Sequence, residues 1–234
     1  MGKRLSSSSV ALFIFGAIFL ASGCGGGGGS TGTNGDAAPE IRFVQAVPGE
    51  GLTNVLVDSI STATVNYGAA SSYITLDRGS RHIQMEPNGS STTFLDQNVS
   101  LTNGTLTTFI ASGESPDITG ITFTDENTVA TTGDASVRII NAASAMGPTD
   151  VYIVPTGTSI TGVSPNVPNL AFQKATDYQD IAPGSYEIFL TAPGSKSSFT
   201  STGTITLTAG QIRTYIALDS LGGGFTQLTL ADAN

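Results

Sequence analysis

Ile41-Arg42-Phe43-Val44-Gln45-Ala46 recurs as Val137-Arg138-Ile139-Ile140-Asn141-Ala142, 96 positions later, and this echo decides the fold. Thr53-Asn54-Val55-Leu56-Val57 and Thr149-Asp150-Val151-Tyr152-Ile153 keep the same offset. Tyr73-Ile74-Thr75-Leu76 and Gly79-Ser80 match Tyr178-Gln179-Asp180-Ile181 and Gly184-Ser185 at an offset of 105. Leu101-Thr102-Asn103-Gly104 then matches Leu207-Thr208-Ala209-Gly210, and Phe109-Ile110-Ala111 matches Tyr215-Ile216-Ala217. The body is a tandem duplication. One copy covers residues 40–127 and the other 136–233, with a linker over 128–135.

Inside each copy, short runs with apolar residues at alternate positions sit between Gly, Pro and Asn turn signals. Ile41/Phe43, Val55/Val57, Ile83/Met85 and Leu106/Phe109 mark successive strands of the first copy. Tyr186-Glu187-Ile188-Phe189-Leu190 and Ile205-Thr206-Leu207 do so in the second. Nothing in either copy carries a helical period with caps. Many short strands at this spacing predict an all-β protein of two immunoglobulin-like β-sandwiches in series.

The first residues carry a different signal. Lys3 and Arg4 precede an apolar run from Val10 to Ala21, twelve residues in all. As a helix that run reaches about 18 Å, well short of a hydrocarbon core of about 30 Å, so it reads as a signal peptide over residues 1–23. Ser22-Gly23-Cys24 follows, with small residues before a lone cysteine. This resembles the lipobox of bacterial lipoprotein precursors, although Leu20 lies one position out from the commonest pattern. The resemblance implies cleavage before Cys24 and lipidation of its thiol. It also implies a cell-envelope address, at the outer membrane or cell surface if the host is Gram-negative. Residues 24–39, glycine-rich after Cys24, have the composition of a flexible tether with a reach of roughly 20 Å.

Composition narrows the chemistry. Loss of Lys3 and Arg4 with the leader leaves seven cations against 18 acids, a net charge of −11. The cations are scattered singly, which speaks against a nucleic-acid partner or adsorption to anionic headgroups, since both need clustered positive charge. Membrane attachment is expected through the lipid on Cys24 alone. As the only cysteine, Cys24 leaves no disulfide framework.

The second copy carries the fullest version of a family pattern. It runs Val137-Arg138-Ile139-Ile140-Asn141-Ala142-Ala143, Thr149-Asp150-Val151-Tyr152-Ile153, Asn169-Leu170-Ala171-Phe172 and Ile181-Ala182-Pro183-Gly184-Ser185-Tyr186-Glu187-Ile188. Leu207-Thr208-Ala209-Gly210-Gln211, leading into Tyr215, completes it. These stretches resemble the bacterial domain-of-unknown-function family 4397, and the first copy follows more loosely, departing at Asn54 and at Asp77-Arg78-Gly79. The resemblance implies secreted or surface-attached β-sandwich modules. It brings no catalytic residues with it.

Few residues invite a chemical role. His82, the only histidine, aligns with Glu187 on the outward face of a strand whose Ile83 and Met85 point inward. No serine lies in a Gly-x-Ser-x-Gly elbow, and Gly113-Glu114-Ser115-Pro116 reads as a turn. Asp125, Glu126 and Asp134 flank the linker, where some tandem sandwiches hold Ca²⁺, but no Asp-x-Asp loop is present and no metal site is expected. Arg42 and Arg138 hold equivalent places, with Asn54 and Asp150 in the next segment. We read Arg138 and Asp150 as a structural ion pair that fixes strand register. The second copy also carries a nine-residue insertion, forming a Pro/Gly/Ser/Thr loop over Pro155–Pro168 that is a candidate binding loop. Asn88, Asn98 and Asn103 head glycosylation-like triplets, which in a bacterial protein read as turn residues.

The expectation is a non-catalytic, lipid-anchored envelope protein without a cofactor, whose tandem sandwiches bind or space other envelope components. A protein or glycan partner is expected. The alternative is a carbohydrate-binding or adhesion lipoprotein, opposed by the absence of Trp; exposed members of the six tyrosines would favour it.

Overall fold

A computed structural model describes residues 37–129 and 131–233. The leader, Cys24 and the glycine tract lie outside the described residues.

Regular structure among the described residues is entirely β. The first repeat holds β1 (Glu40–Ala46), β2 (Thr53–Val57), β3 (Ile60–Val65), β4 (Ala69–Ala70), β5 (Ile74–Thr75), β6 (Gly79–Pro87), β7 (Leu95–Leu101), β8 (Leu106–Ser112) and β9 (Thr119–Asp125). The second holds β10 (Ala135–Asn141), β11 (Thr149–Pro155), β12 (Val167–Leu170), β13 (Lys174–Ala175), β14 (Gln179–Ile181), β15 (Gly184–Thr191), β16 (Ser198–Ser201), β17 (Ile205–Leu207), β18 (Ile212–Asp219) and β19 (Phe225–Ala233).

Each repeat folds into two sheets, and its strands pair only with strands of the same repeat. In the first, one sheet has the order β4-β1-β8-β9 with β5 also on β1, and the other β3-β2-β6-β7. The second repeats this as β13-β10-β18-β19, with β14 on β10, and β12-β11-β15-β16, with β17 on β15. β1 runs parallel to β8 and β10 parallel to β18; the other ladders are antiparallel. The copies differ mainly where continuous β7 is replaced by two short strands, β16 and β17.

The alternation read from sequence lands on the sandwich cores. Ile41, Phe43, Val55, Val57, Ile83, Met85 and Phe109 pack together in the first repeat. Ile188, Leu190 and Leu207 join Val137, Ile139 and Tyr215 in the second, with Tyr186 and Ile205 packed against them. Leu106 is only half-buried and stays outside its core.

β1 and β10 also bury their second faces, which is why IRFVQA and VRIINA lack the polar alternation of a half-solvated strand. Val44, Ala46 and Ile110 of the first repeat pack against Ile140, Ala142, Ile216, Leu218 and Leu230 of the second. The β1–β8 and β10–β18 sheets therefore meet face to face. Instead of standing in series, the two sandwiches lie side by side and share this third core within one compact unit. β1 and β10 point the same way: Arg42 and Arg138, near their starts, are neighbours, while loops beyond their ends touch through Ser144 Oγ and Glu114 (3.2 Å) and through the Tyr67 hydroxyl on the Asp219 carbonyl. The repeats are thus related by a near two-fold axis along the strands, the arrangement of an isologous dimer written into one polypeptide.

Candidate functional site

The densest polar constellation lies at one end of the shared core, where each repeat reaches into the other. Arg42 on β1 and Arg138 on β10 point off their own sandwiches, because Ile41/Phe43 and Val137/Ile139 take the inward side. Arg42 Nε donates to Thr108 Oγ1 at 2.8 Å, and Arg138 Nε to Thr214 Oγ1 at 3.1 Å. Each guanidinium then crosses over. Arg42 Nη2 pairs with Asp232 and Arg138 Nη2 with Asp125. Arg42 Nη1 donates to the Ala231 carbonyl and Arg138 Nη1 to the Thr124 carbonyl, both at 3.0 Å.

The second oxygen of each carboxylate is held from its own repeat. Asp125 Oδ2 accepts from Thr108 Oγ1 and the Tyr73 hydroxyl, both at 2.6 Å. Asp232 Oδ2 accepts from Thr214 Oγ1 at 2.6 Å and the Tyr178 hydroxyl at 2.8 Å. Each arginine lies over its own repeat's tyrosine ring, Arg42 at 4.7 Å from Tyr73 and Arg138 at 4.6 Å from Tyr178. The arginine side chains are 4% exposed and the carboxylates 0%. Two cations and two anions cancel, and no buried side-chain nitrogen or oxygen among the described residues lacks a partner. Burial, then the neighbouring Asp125, holds the Tyr73 phenol well above its ordinary range; burial does the same to Tyr178, against the lowering effect of Arg138. Such a closed network is a clasp and has no open position for a substrate.

This corrects the expected partner of Arg138. Asp150 begins β11 in the other sheet of the repeat, near the opposite end of the sandwich. Its carboxylate accepts the backbone N–H groups of Asn169 (2.9 Å) and Gly194 (2.8 Å), tying down two loops. Arg138 faces the first repeat and pairs with Asp125. Asp125, a candidate for Ca²⁺ with Glu126 and Asp134, is consumed by the clasp, and no group of three or more His, Cys, Asp or Glu side chains among the described residues is arranged to hold a metal.

Beside the clasp lies a cleft of about 520 Å³, walled by Phe123, Glu126, Arg138, Lys174, Asp177 and Tyr178. Burial, with Asp180 behind it, pushes the Glu126 carboxyl above the ordinary glutamate range. The strand register places Ala69, Ser72 and Thr75 of the first repeat where the second has Lys174, Asp177 and Asp180. The clasp is therefore shared by both copies, whereas the charged rim belongs to one.

His82 lies on the outer sheet as expected, with Nε2 2.6 Å from Asp96 Oδ1. That bond holds the Asp96 carboxyl below its ordinary value. Pro155–Pro168 does not project as a free loop. Ile160 is buried and Val163 packs with it against Tyr152, Val154 and Phe189 on the outer face of the β11–β15 sheet. Lys196 sits 4.4 Å from the Tyr152 ring, bonds its hydroxyl at 2.8 Å and also reaches the Val163 carbonyl. None of the six tyrosines is exposed: Tyr152 and Tyr215 are buried and Tyr67, Tyr73, Tyr178 and Tyr186 partly so.

Thr108, Thr214, Tyr73, Tyr178 and Asp232 complete the clasp without standing out in the sequence. The available signal is identity between copies at polar positions: Arg, Thr, Tyr and Asp recur at matched places although most exposed positions differ.

No curated protein matches the sequence. Among solved structures it is similar to the C-terminal domain of AlgF from P. aeruginosa, at 20% identity and a TM-score of 0.30, over 42% of this protein and 98% of that one. It is also similar to CBMbc, a family 26 carbohydrate-binding module of Amy13K from Eubacterium rectale solved with maltoheptaose, at 15% identity and a TM-score of 0.25, over 82% of this protein and 97% of that one. The sequence profile of a domain of unknown function, DUF4397, matches residues 39–152. That span holds all of the first repeat and runs through β10 into β11, although the second repeat displays the fuller set of motifs. Over residues 39–152 the chain is similar to DUF4397, in agreement with the resemblance read from its sequence.

Proposed function

We propose that this is a non-catalytic cell-envelope protein, anchored by lipid on Cys24, whose paired sandwiches bind or space other envelope components. The observation that carries this reading is the order of parts: a short apolar leader, a lone cysteine and a glycine-rich tract precede a body of fixed shape. The clasp and the shared core join the two repeats into one unit, so the body offers a constant dimension and a constant set of surfaces. A tether of roughly 20 Å root-mean-square reach allows such a unit to stand off the membrane.

The test is to express the wild type and Cys24→Ser in the native host, feed labelled fatty acid, and fractionate the cells. The wild type should carry the label and stay with membranes, and the variant should lose both. An unlabelled wild type in the soluble fraction would refute the anchor. In-cell crosslinking of the wild type then tests the binding role. Recovery of a stoichiometric envelope protein supports it, while recovery of glycan alone moves the assignment to adhesion.

A further inference from the structure

Two Asn-Gly pairs, Asn88-Gly89 and Asn103-Gly104, lie among the described residues in chemically different turns. Asn followed by Gly is prone to ring closure, because glycine lacks the Cβ that would shield its backbone nitrogen. The reaction needs that nitrogen to shed its proton and reach the asparagine Cγ. At Asn103 the nitrogen is occupied: Gly104 N–H donates to the Ala37 carbonyl at 2.7 Å. The same loop is closed by Thr105, whose hydroxyl bonds the Thr102 carbonyl at 2.6 Å, and Asn103 itself is half-buried.

The turn after β6 is the opposite case. Asn88 is exposed. Its own N–H donates to the Leu52 carbonyl at 2.8 Å, and Ser90 N–H to the Pro87 carbonyl at 2.9 Å, so the residues on both sides of Gly89 are held. Gly89 N–H has no acceptor among the described residues. The glycine sits at a φ of +82°, with no atom within 4 Å of the place a Cβ would take.

We infer that Asn88 is a site of spontaneous deamidation and isoaspartate formation in the native protein, and that Asn103 is protected. Gly89 N attacks Asn88 Cγ, forming a new bond between them. The bond from Cγ to the amide nitrogen Nδ2 breaks, and that NH2 group leaves as ammonia by taking up one proton, equivalent to the one lost by Gly89. Water opens the resulting succinimide at either carbonyl, giving aspartate or isoaspartate. The balance is one water in and one ammonia out, with no oxidant or reductant. The product adds a negative charge at the β6–β7 turn, and the isoaspartate form also lengthens the backbone there by one carbon.

The experiment incubates the intact protein in mildly alkaline oxygen-18 water, folded and in urea, and follows label in the peptides containing Asn88 and Asn103 by mass spectrometry. In urea the two rates should be similar. In the folded protein Asn88 should lead by roughly tenfold, the ratio that one hydrogen bond of ordinary net strength supports. Asn88→Ala, which has no side-chain carbonyl to be attacked, should abolish labelling at that site and leave Asn103 unchanged. Equal rates in the folded protein, or Asn103 ahead, would overturn the assignment. So would a folded protein that never labels at Asn88 while its urea-treated counterpart converts.

Discussion

The two repeats share a backbone path and differ in what their faces meet. On the inner faces, Arg42, Thr108, Tyr73 and Asp125 mirror Arg138, Thr214, Tyr178 and Asp232. On the outer faces nearly every equivalent position has changed. Leu56, Asp58, His82 and Gln84 of the first repeat stand where Tyr152, Val154, Glu187 and Phe189 stand in the second. The first outer face is polar and bare, with His82 and Gln84 both on Asp96. The second is apolar and covered by its own loop. An inner face that must fit its own image can change only in step with the other copy, whereas an outer face answers only to solvent or to its own loop.

The sharpest way to break this comparison is to unbalance the clasp. Arg138→Met strands Asp125 without its closest cation, and losing one member of a buried pair costs about 3–5 kcal/mol. Because the clasp spans both repeats, the loss should appear as one cooperative shift in a urea melt; two separate transitions would show that the copies fold independently. Asp125→Asn combined with Arg138→Met removes both charges and should recover part of that loss.

The outer faces should respond unequally to truncation. Ile160→Ala empties the small cluster beneath the second repeat's loop and should cost about 2 kcal/mol or more, with faster amide exchange across residues 155–168. His82→Ala, on the bare face of the first repeat, should stay within about 0.5 kcal/mol. Equal effects would mean that the loop is not a structural cover.

The smallest effect is an alkaline one from the inner faces. Burial and Asp219 push Tyr67 up to about 12, and Tyr73 and Tyr178 are raised as well. The unfolded phenols ionise near 10, so above that pH the unfolded state holds fewer protons than the folded one, and stability falls as pH rises. It should be flat below about pH 10 and decline through the folded values. The slope of denaturation midpoint against pH should be shallower in Tyr73→Phe and Tyr178→Phe. An unchanged slope would show that these phenols ionise freely in the folded protein.

Much of the fold is legible from local pattern. Ile83 and Met85 inward with His82 outward is a period of two, and the structure keeps it. The site is less legible. Sequence proximity within one repeat points Arg138 to Asp150, but β10 and β11 lie in different sheets. Its true partner, Asp125, ends β9 of the other repeat. Similarly, the composition of Pro155–Pro168 suggests a free loop, because nothing local shows that Ile160 finds Tyr152 and Phe189 beneath it.

By itself the sequence determined the duplication, the all-β class, most inward residues of each sandwich and the motif around Cys24. All of these depend on neighbours a few positions apart, or on a copy that can be aligned. The tertiary structure decided that the sandwiches meet face to face, that the arginines exchange carboxylates, and that the inserted loop covers a sheet. Those outcomes depend on which faces come together in space. A buried charge takes the partner opposite it, since leaving it unpaired costs more than any preference along the backbone.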